Sequence, residues 1–277
     1  MTELISFMDT VKDKSQNTQK AYKVQYKKLH DLLGKEISEA SQQKIIDVVK
    51  TEDKIASQQA LLNIGILIRR IDKNSVIELE KLREKNKSLI SKETKEKNVV
   101  LADTLPSYEA LVEYTDYLWD KNQWTDYIIN YLLLYYQVRN QDLLFDIVLR
   151  KKYTTANKDK NYIWIGDKKA VFIRNVYKTA GTYKQKINTI TDKKFITAVK
   201  RVFACQKYSL ECGVFIPTES QVGYYIQKAT YKGLGEGNYI KIVLNHFRND
   251  FDKIKEISLN RGTSIDTISE FYDIKNQ

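Results

Sequence analysis

Apolar and polar positions recur with a helical period through the first quarter of the chain. In NTQKAYKVQYKKLHDLLG, Ala21, Tyr22, Val24, Tyr26, Leu29, Leu32 and Leu33 fall on one side of a 3.6-residue repeat. Ser15 or Asn17 offers an N-cap, and Gly34 fits the stop. A second helix is predicted over Ser41 to Val49 and a third over Ile55 to Ile71, with Leu61, Ile64, Ile68 and Ile71 lining one face. The segment Lys81 to Asn98 is rich in charge and poor in core residues, and reads as a helix tail passing into a linker.

A second region opens near Leu101, with Pro106 at a helix start behind Asp103 and Thr104. Helices are predicted over Tyr108 to Trp119 and over Trp124 to Leu149, the latter carrying the apolar run YIINYLLLYYQV. From Asn161 the period shortens to that of strands: NYIWIG, AVFIRNVYK and QKINTI, separated by the turn-forming GDKK and TAGT. The helical period returns at Asp192. The pattern predicts a mainly α protein with a small antiparallel β-sheet. Its domains are expected at 1–95 and 104–277, with a linker at 96–103.

Charge adds a location to this picture. The 277 residues carry a formal net charge of +11, and the segment Arg150 to Lys200 holds 14 basic and 3 acidic residues. The remaining residues carry 32 of each sign and cancel. Such an excess favours polyanionic partners through counterion release. Lys151, Lys152, Lys168, Lys169, Arg174, Lys184 and Lys186 are the candidate DNA-backbone contacts, interleaved with Tyr153, Tyr162, Trp164, Tyr177 and Tyr183. Solvated strand faces also collect lysines, and strands favour aromatics in any case.

Other chemistries are poorly served. Cys205 and Cys212 form no CxxC pair, and His30 and His246 lie far apart, so neither a zinc site nor a histidine-based metal centre is expected. No stretch approaches the length of a membrane span, and MTELISFMDTVKDK lacks the layout of a secretory signal, so an intracellular protein without a membrane partner is expected. Abundant Lys, Asn, Ile and Tyr suggest an AT-rich coding genome, a clue to a viral or parasite source.

Three segments hold residues suited to phosphoryl chemistry. QVRNQDL carries Arg139 and Asp142, NVYKTAGTYKQKINTI carries Lys178, and LNRGTSIDTISEFYDI carries Arg261 and Tyr272. Their order resembles that of the tyrosine recombinase (phage integrase) family, and the likeness covers nearly the whole chain. SQNTQKAYKVQYKKL is similar to the opening helix of that family's core-binding domain. QVRNQDL resembles its Gly-Leu-Arg-x-x-Glu-Leu segment, with Asp142 in place of Glu. GEGNYIKIVLNHF resembles the His-x-x-Arg element, with Asn238 at the His and Lys241 at the Arg. At the family's Leu-Gly-His, this chain has Leu259, Asn260 and Arg261, and the step from Arg261 to Tyr272 is eleven residues, longer than the family's.

The resemblance implies a helical DNA-clamping domain followed by an α+β catalytic domain. Tyr272 would be the nucleophile, Arg139, Lys241 and Arg261 the phosphate-binding cations, and Lys178 the general acid. Tyr224, Tyr225, Tyr231 and Tyr239 lie too early to replace Tyr272. The chemistry needs no metal or other cofactor, because a 3′-phosphotyrosine conserves the energy of the broken bond. Duplex DNA would be the partner, bound by a homotetramer, in host cytoplasm, nucleus or virion. The expected function is integration or resolution by site-specific recombination. Relaxation of type IB topoisomerase kind shares the chemistry. A decayed DNA-binding or packaging protein and an RNA-binding helical protein are the other readings.

Overall fold

The computed structural model describes residues 2–70, 73–149, 158–205, 212–216 and 218–272. The chain divides into two compact units, Met1–Glu96 and Lys97–Gln277.

The first unit is helical. It comprises α1 (Thr2–Thr10), α2 (Gln16–Leu33), α3 (Gln42–Val49), α4 (Ile55–Arg69) and most of α5 (Ile77–Ala102). Ser15 caps α2 through the amide of Thr18, and Gly34 ends it in the left-handed conformation at φ 68°. Ser41 caps α3 in the same way. Leu29, Ile45, Leu61, Leu62 and Ile64 are fully buried in one core, so the apolar stripe of each helix meets the others. Helix α1 had no counterpart in the sequence reading. It is held by Glu3, whose carboxylate accepts from the Tyr26 hydroxyl at 2.8 Å and from the amides of Ile37 and Ser38 at 2.9 and 2.8 Å. Residues 96–102, read as linker, belong to the continuous helix α5.

The second unit is mainly helical around a small mixed sheet. After α6 (Tyr108–Asp120) comes α7 (Trp124–Tyr136), whose Ile128, Ile129, Leu132, Leu133 and Leu134 are buried. Burial of each such side chain is worth roughly 1.5–3 kcal/mol, which makes α7 the anchor of this core. The long helix expected from Trp124 to Leu149 stops at Tyr136. Gln137 takes a left-handed conformation (φ 47°), the 3-10 turn Asn140–Leu143 follows, and FDIVL forms strand β1 (Phe145–Leu149). An unbroken apolar run satisfies a buried helix and a doubly buried strand equally well, so periodicity alone does not separate them.

Strands β2 (Asn161–Ile165) and β3 (Ala170–Arg174) form a hairpin. The short helix α8 (Ala180–Tyr183) then leads into β4 (Lys186–Ile190). Helix α9 (Lys193–Cys205) and strand β5 (Cys212–Val214) follow, and the sheet order is β4-β3-β2-β1-β5. The sheet is not purely antiparallel as expected. β1 and β2 run parallel in the register Phe145 to Asn161. The chain closes with α10 (Glu219–Ala229), α11 (Glu236–His246), α12 (Phe251–Arg261) and α13 (Ile265–Phe271).

Candidate active site at one end of the sheet

Strand directions bring the chemistry together. The starts of β1 and β2 lie side by side, Tyr162 faces Ile173, and Arg174 faces Lys186. The segment after α7, the exit of β3 and the entry of β4 therefore share one end of the sheet. Asn161 fixes the β3 exit there: its side chain donates to the Val176 carbonyl at 2.9 Å and accepts from the amides of Asn175 and Val176 at 2.9 and 2.8 Å.

Arg174 forms the floor of the site. It continues the inward face of Ala170 and Phe172 on β3, and all three are fully buried. Its guanidinium pairs with the equally buried Asp142 at 3.2 Å and donates to the Asn260 carbonyl and the Asn188 side chain, each at 2.9 Å. The same Asp142 oxygen accepts the Arg139 amide at 3.2 Å, closing the 3-10 turn. Burial presses the Arg174 guanidinium below its ordinary pKa, and the Asp142 carboxylate works against that.

Four successive carbonyls at the end of α12 are each held from elsewhere. Lys186 donates to those of Leu259 and Asn260, the latter at 3.1 Å. Arg139 donates to the Arg261 carbonyl at 2.9 Å, and the Thr179 hydroxyl donates to the Gly262 carbonyl at 2.6 Å. Three cations thus meet the negative end of one helix, where its last carbonyls lack intrahelical partners. Gly262 permits the close approach. It sits at φ +64°, and a Cβ there would lie 2.8 Å from both Lys186 Nζ and Thr179 Oγ1.

This clamp places Arg261. Its side chain is 2% exposed and donates to Glu236 at 3.1 Å, to the Gln137 carbonyl at 3.3 Å and to the Tyr272 hydroxyl at 3.3 Å. The guanidinium also stands 5.0 Å from the centre of the Tyr272 ring. Arg139 is half-buried beside it: burial, then the Arg261 charge, lower its pKa, while Asp142, Tyr272 and Glu236 oppose the shift. Lys241, half-buried on α11, is lowered by burial, and the nearby Tyr272 charge acts the other way.

Of the five residues expected to do chemistry, Arg139, Lys241, Arg261 and Tyr272 thus share one neighbourhood. Lys178 is exposed, one residue before Thr179, on the turn that touches the clamp. Tyr239 is fully buried against Asn130 and cannot meet a large substrate. His246 stacks on Tyr108 at 4.2 Å and pairs with Glu109.

The expected backbone-contacting cations separate into groups. Lys168 and Lys169 are exposed on the β2–β3 turn, at the opposite end of β3 from Arg174. Lys184 is exposed at the site end. Arg174 and Lys186 are taken up by Asp142 and by helix carbonyls, so they frame the site rather than face a solvent-borne phosphate. Lys151 and Lys152 lie outside the described residues.

Sequence reasoning missed Glu236, Thr179 and the framing role of Arg174. A charged residue on the inward face of AVFIR was the one available signal for Arg174, whereas nothing local marks the other two. Among the described residues there is no cluster of His, Cys, Asp or Glu suited to a metal, and no helix is long and apolar enough to cross a membrane.

The sequence matches no family model and no curated protein. Among solved structures, the chain is similar to one described as the crystal structure of XerA recombinase, with 13% identity, 99% of this chain and 93% of that chain covered, and a TM-score of 0.38. A likeness of that degree decides nothing about chemistry, which the side chains must carry.

Proposed function

We propose that the second unit is a DNA strand-transfer centre of the tyrosine recombinase kind, with Tyr272 as nucleophile. The observation that carries this reading is the Arg261–Tyr272 hydrogen bond of 3.3 Å, set among Arg139 and Lys241. To attack phosphorus the phenol must release its proton to water, and the Arg261 guanidinium that donates to its oxygen is placed to meet the charge that develops there. The Tyr272 oxygen forms a bond to phosphorus, the bond from phosphorus to the 5′ oxygen breaks, and that oxygen takes up a proton. The reverse sequence, with another 5′ hydroxyl attacking, rejoins strands and frees the tyrosine. Extra negative charge on the pentacoordinate phosphorus would be met by Arg139, Arg261 and Lys241.

In this reading Lys178 supplies the proton to the leaving 5′ oxygen. Its exposed place on the Thr179 turn leaves its ammonium open to incoming DNA, whereas the Lys186 amine is already donating to two carbonyls. Exposed Lys168, Lys169 and Lys184 would add sequence-independent contacts along the duplex. Integration or resolution by paired exchanges within a tetramer is the biological role this chemistry would serve.

The test is covalent capture on a nicked duplex that traps the cleaved product. Wild-type protein should form a tyrosyl adduct that Tyr272→Phe abolishes while duplex binding persists. Binding without any wild-type adduct would replace the enzyme with a DNA-binding or packaging protein built on the same site. Tighter binding to structured RNA than to duplex DNA across a salt titration would exclude both.

A further inference from the structure

Glu236 opens α11 behind Gly235, and an acid in a helix's first turn is ordinary. Its surroundings are not. One carboxylate oxygen accepts from the Arg261 guanidinium at 3.1 Å, and the other accepts the main-chain amide of Asn140, next to Arg139. Its charge also acts on Arg139. A guanidinium and a main-chain amide beside a second guanidinium are the donors that hold the non-bridging oxygens of a phosphate.

Two anions cannot share such a seat, since like charges at contact distance repel strongly in a half-buried site. The side chain nevertheless has a way out: it is 23% exposed, and Gly235 and Gly237 on either side have open space around them. Nε of the buried Arg261 meets no acceptor among the described residues.

We propose that Glu236 is an internal counter-anion, holding the phosphate seat between Arg261 and the Asn140 amide in the free protein and leaving it when a phosphodiester enters. That the entering anion belongs to DNA rests on the function proposed above; that the seat takes phosphate does not. The device keeps Arg261 and Tyr272 aligned before substrate arrives and disfavours weak monoanions. A polyanion that gains by counterion release competes far better.

The probe is inorganic phosphate, titrated by calorimetry into the full chain at low ionic strength. Glu236→Gln should bind it at least about tenfold tighter than wild type, the size expected for removal of one contacting charge in a half-buried site. Glu113→Gln makes the same charge change on the exposed side of α6 and should bind as wild type does. Adding Arg261→Gln to Glu236→Gln should erase the gain. Equal affinity of Glu236→Gln and wild type, or an equal gain from Glu113→Gln, overturns the proposal. If circular dichroism shows Glu236→Gln unfolded, Glu236→Asp decides: its carboxylate is one methylene too short for both donors, so it too should tighten phosphate binding, and no gain overturns the proposal. Adduct formation by wild type on nicked duplex is measured in parallel. Its absence would remove the strand-transfer reading and leave the phosphate result standing.

Discussion

The Arg261 guanidinium donates to the Tyr272 hydroxyl at 3.3 Å, and the two residues belong to different helices, the end of α12 and the position just after α13. Gly262, left-handed at φ 64°, and the cap Ser264 turn the chain between them. The contact therefore depends on how firmly the end of α12 is held.

Arg261→Lys removes the planar fork and leaves a point charge. Adduct formation should fall by about 10²–10³, the usual loss when one donor to a developing anion is removed. Single-turnover rates on nicked duplex measure this, with a melting curve to separate lost chemistry from lost fold. A variant that stays folded and cleaves at the wild-type rate would remove Arg261 from the mechanism.

Asp142→Asn leaves Arg174 charged and buried without its counter-ion. Breaking a buried pair by removing one partner costs about 3–5 kcal/mol. Chemical denaturation of the second unit should show a loss of that order. Replacing both residues, Asp142→Asn with Arg174→Met, should recover part of it.

Gly262→Ala places a Cβ 2.8 Å from Lys186 Nζ and Thr179 Oγ1 at a positive φ. The left-handed conformation alone costs a non-glycine residue about 1 kcal/mol or more, and the contacts add to that. Loss of stability should be accompanied by faster amide exchange at the Thr179 turn and at the end of α12. A change in stability without exchange at the Thr179 turn would mean that this turn is not held through Gly262.

Burial, with Arg174 next, lowers the Lys186 amine to about 8 from 10.5. Between those values the unfolded chain keeps a proton that the folded chain gives up, so this group's contribution to stability rises with pH across that window. Below about pH 8 both states are charged and the full burial cost is present. The neutral amine still has two N–H groups for the carbonyls of Leu259 and Asn260. Compared with Lys186→Met, wild-type stability should climb from about pH 8 to 10.5. Parallel pH curves for the two proteins would contradict the shift.

In the first unit, burial would raise the Glu3 carboxyl, but hydrogen bonds from Ser38, Tyr26 and Ile37 outweigh it and bring the group to about 2 from 4.5. The stabilisation is complete above about 4.5 and is lost as pH falls toward 2. Glu3→Gln should flatten acid unfolding of this unit over that window, as followed by helical circular dichroism.

Helices whose apolar stripes face a single core were readable from the chain alone. Ser15 and Gly34 act where the cap pattern places them, because capping is settled within four residues. The strand period of NYIWIG, AVFIR and QKINTI was equally legible. Periodicity could not separate the helix α7 from the strand β1, since both are largely apolar and buried on nearly every side. Nor could it give the parallel pairing of β1 with β2, since a strand's period carries no direction.

The site divides in the same way. Arg139, Lys241, Arg261 and Tyr272 could be named as cations and a phenol in a particular order along the sequence. Only tertiary packing decided that Arg174 and Lys186 hold helix carbonyls, while Glu236 reaches the same guanidinium as Tyr272. Sequence determines which charges a chain carries and which faces it must bury. Whether a buried cation meets a carbonyl, a carboxylate or an incoming phosphate depends on partners about 25 to 125 residues away, and only the packed fold brings them within reach.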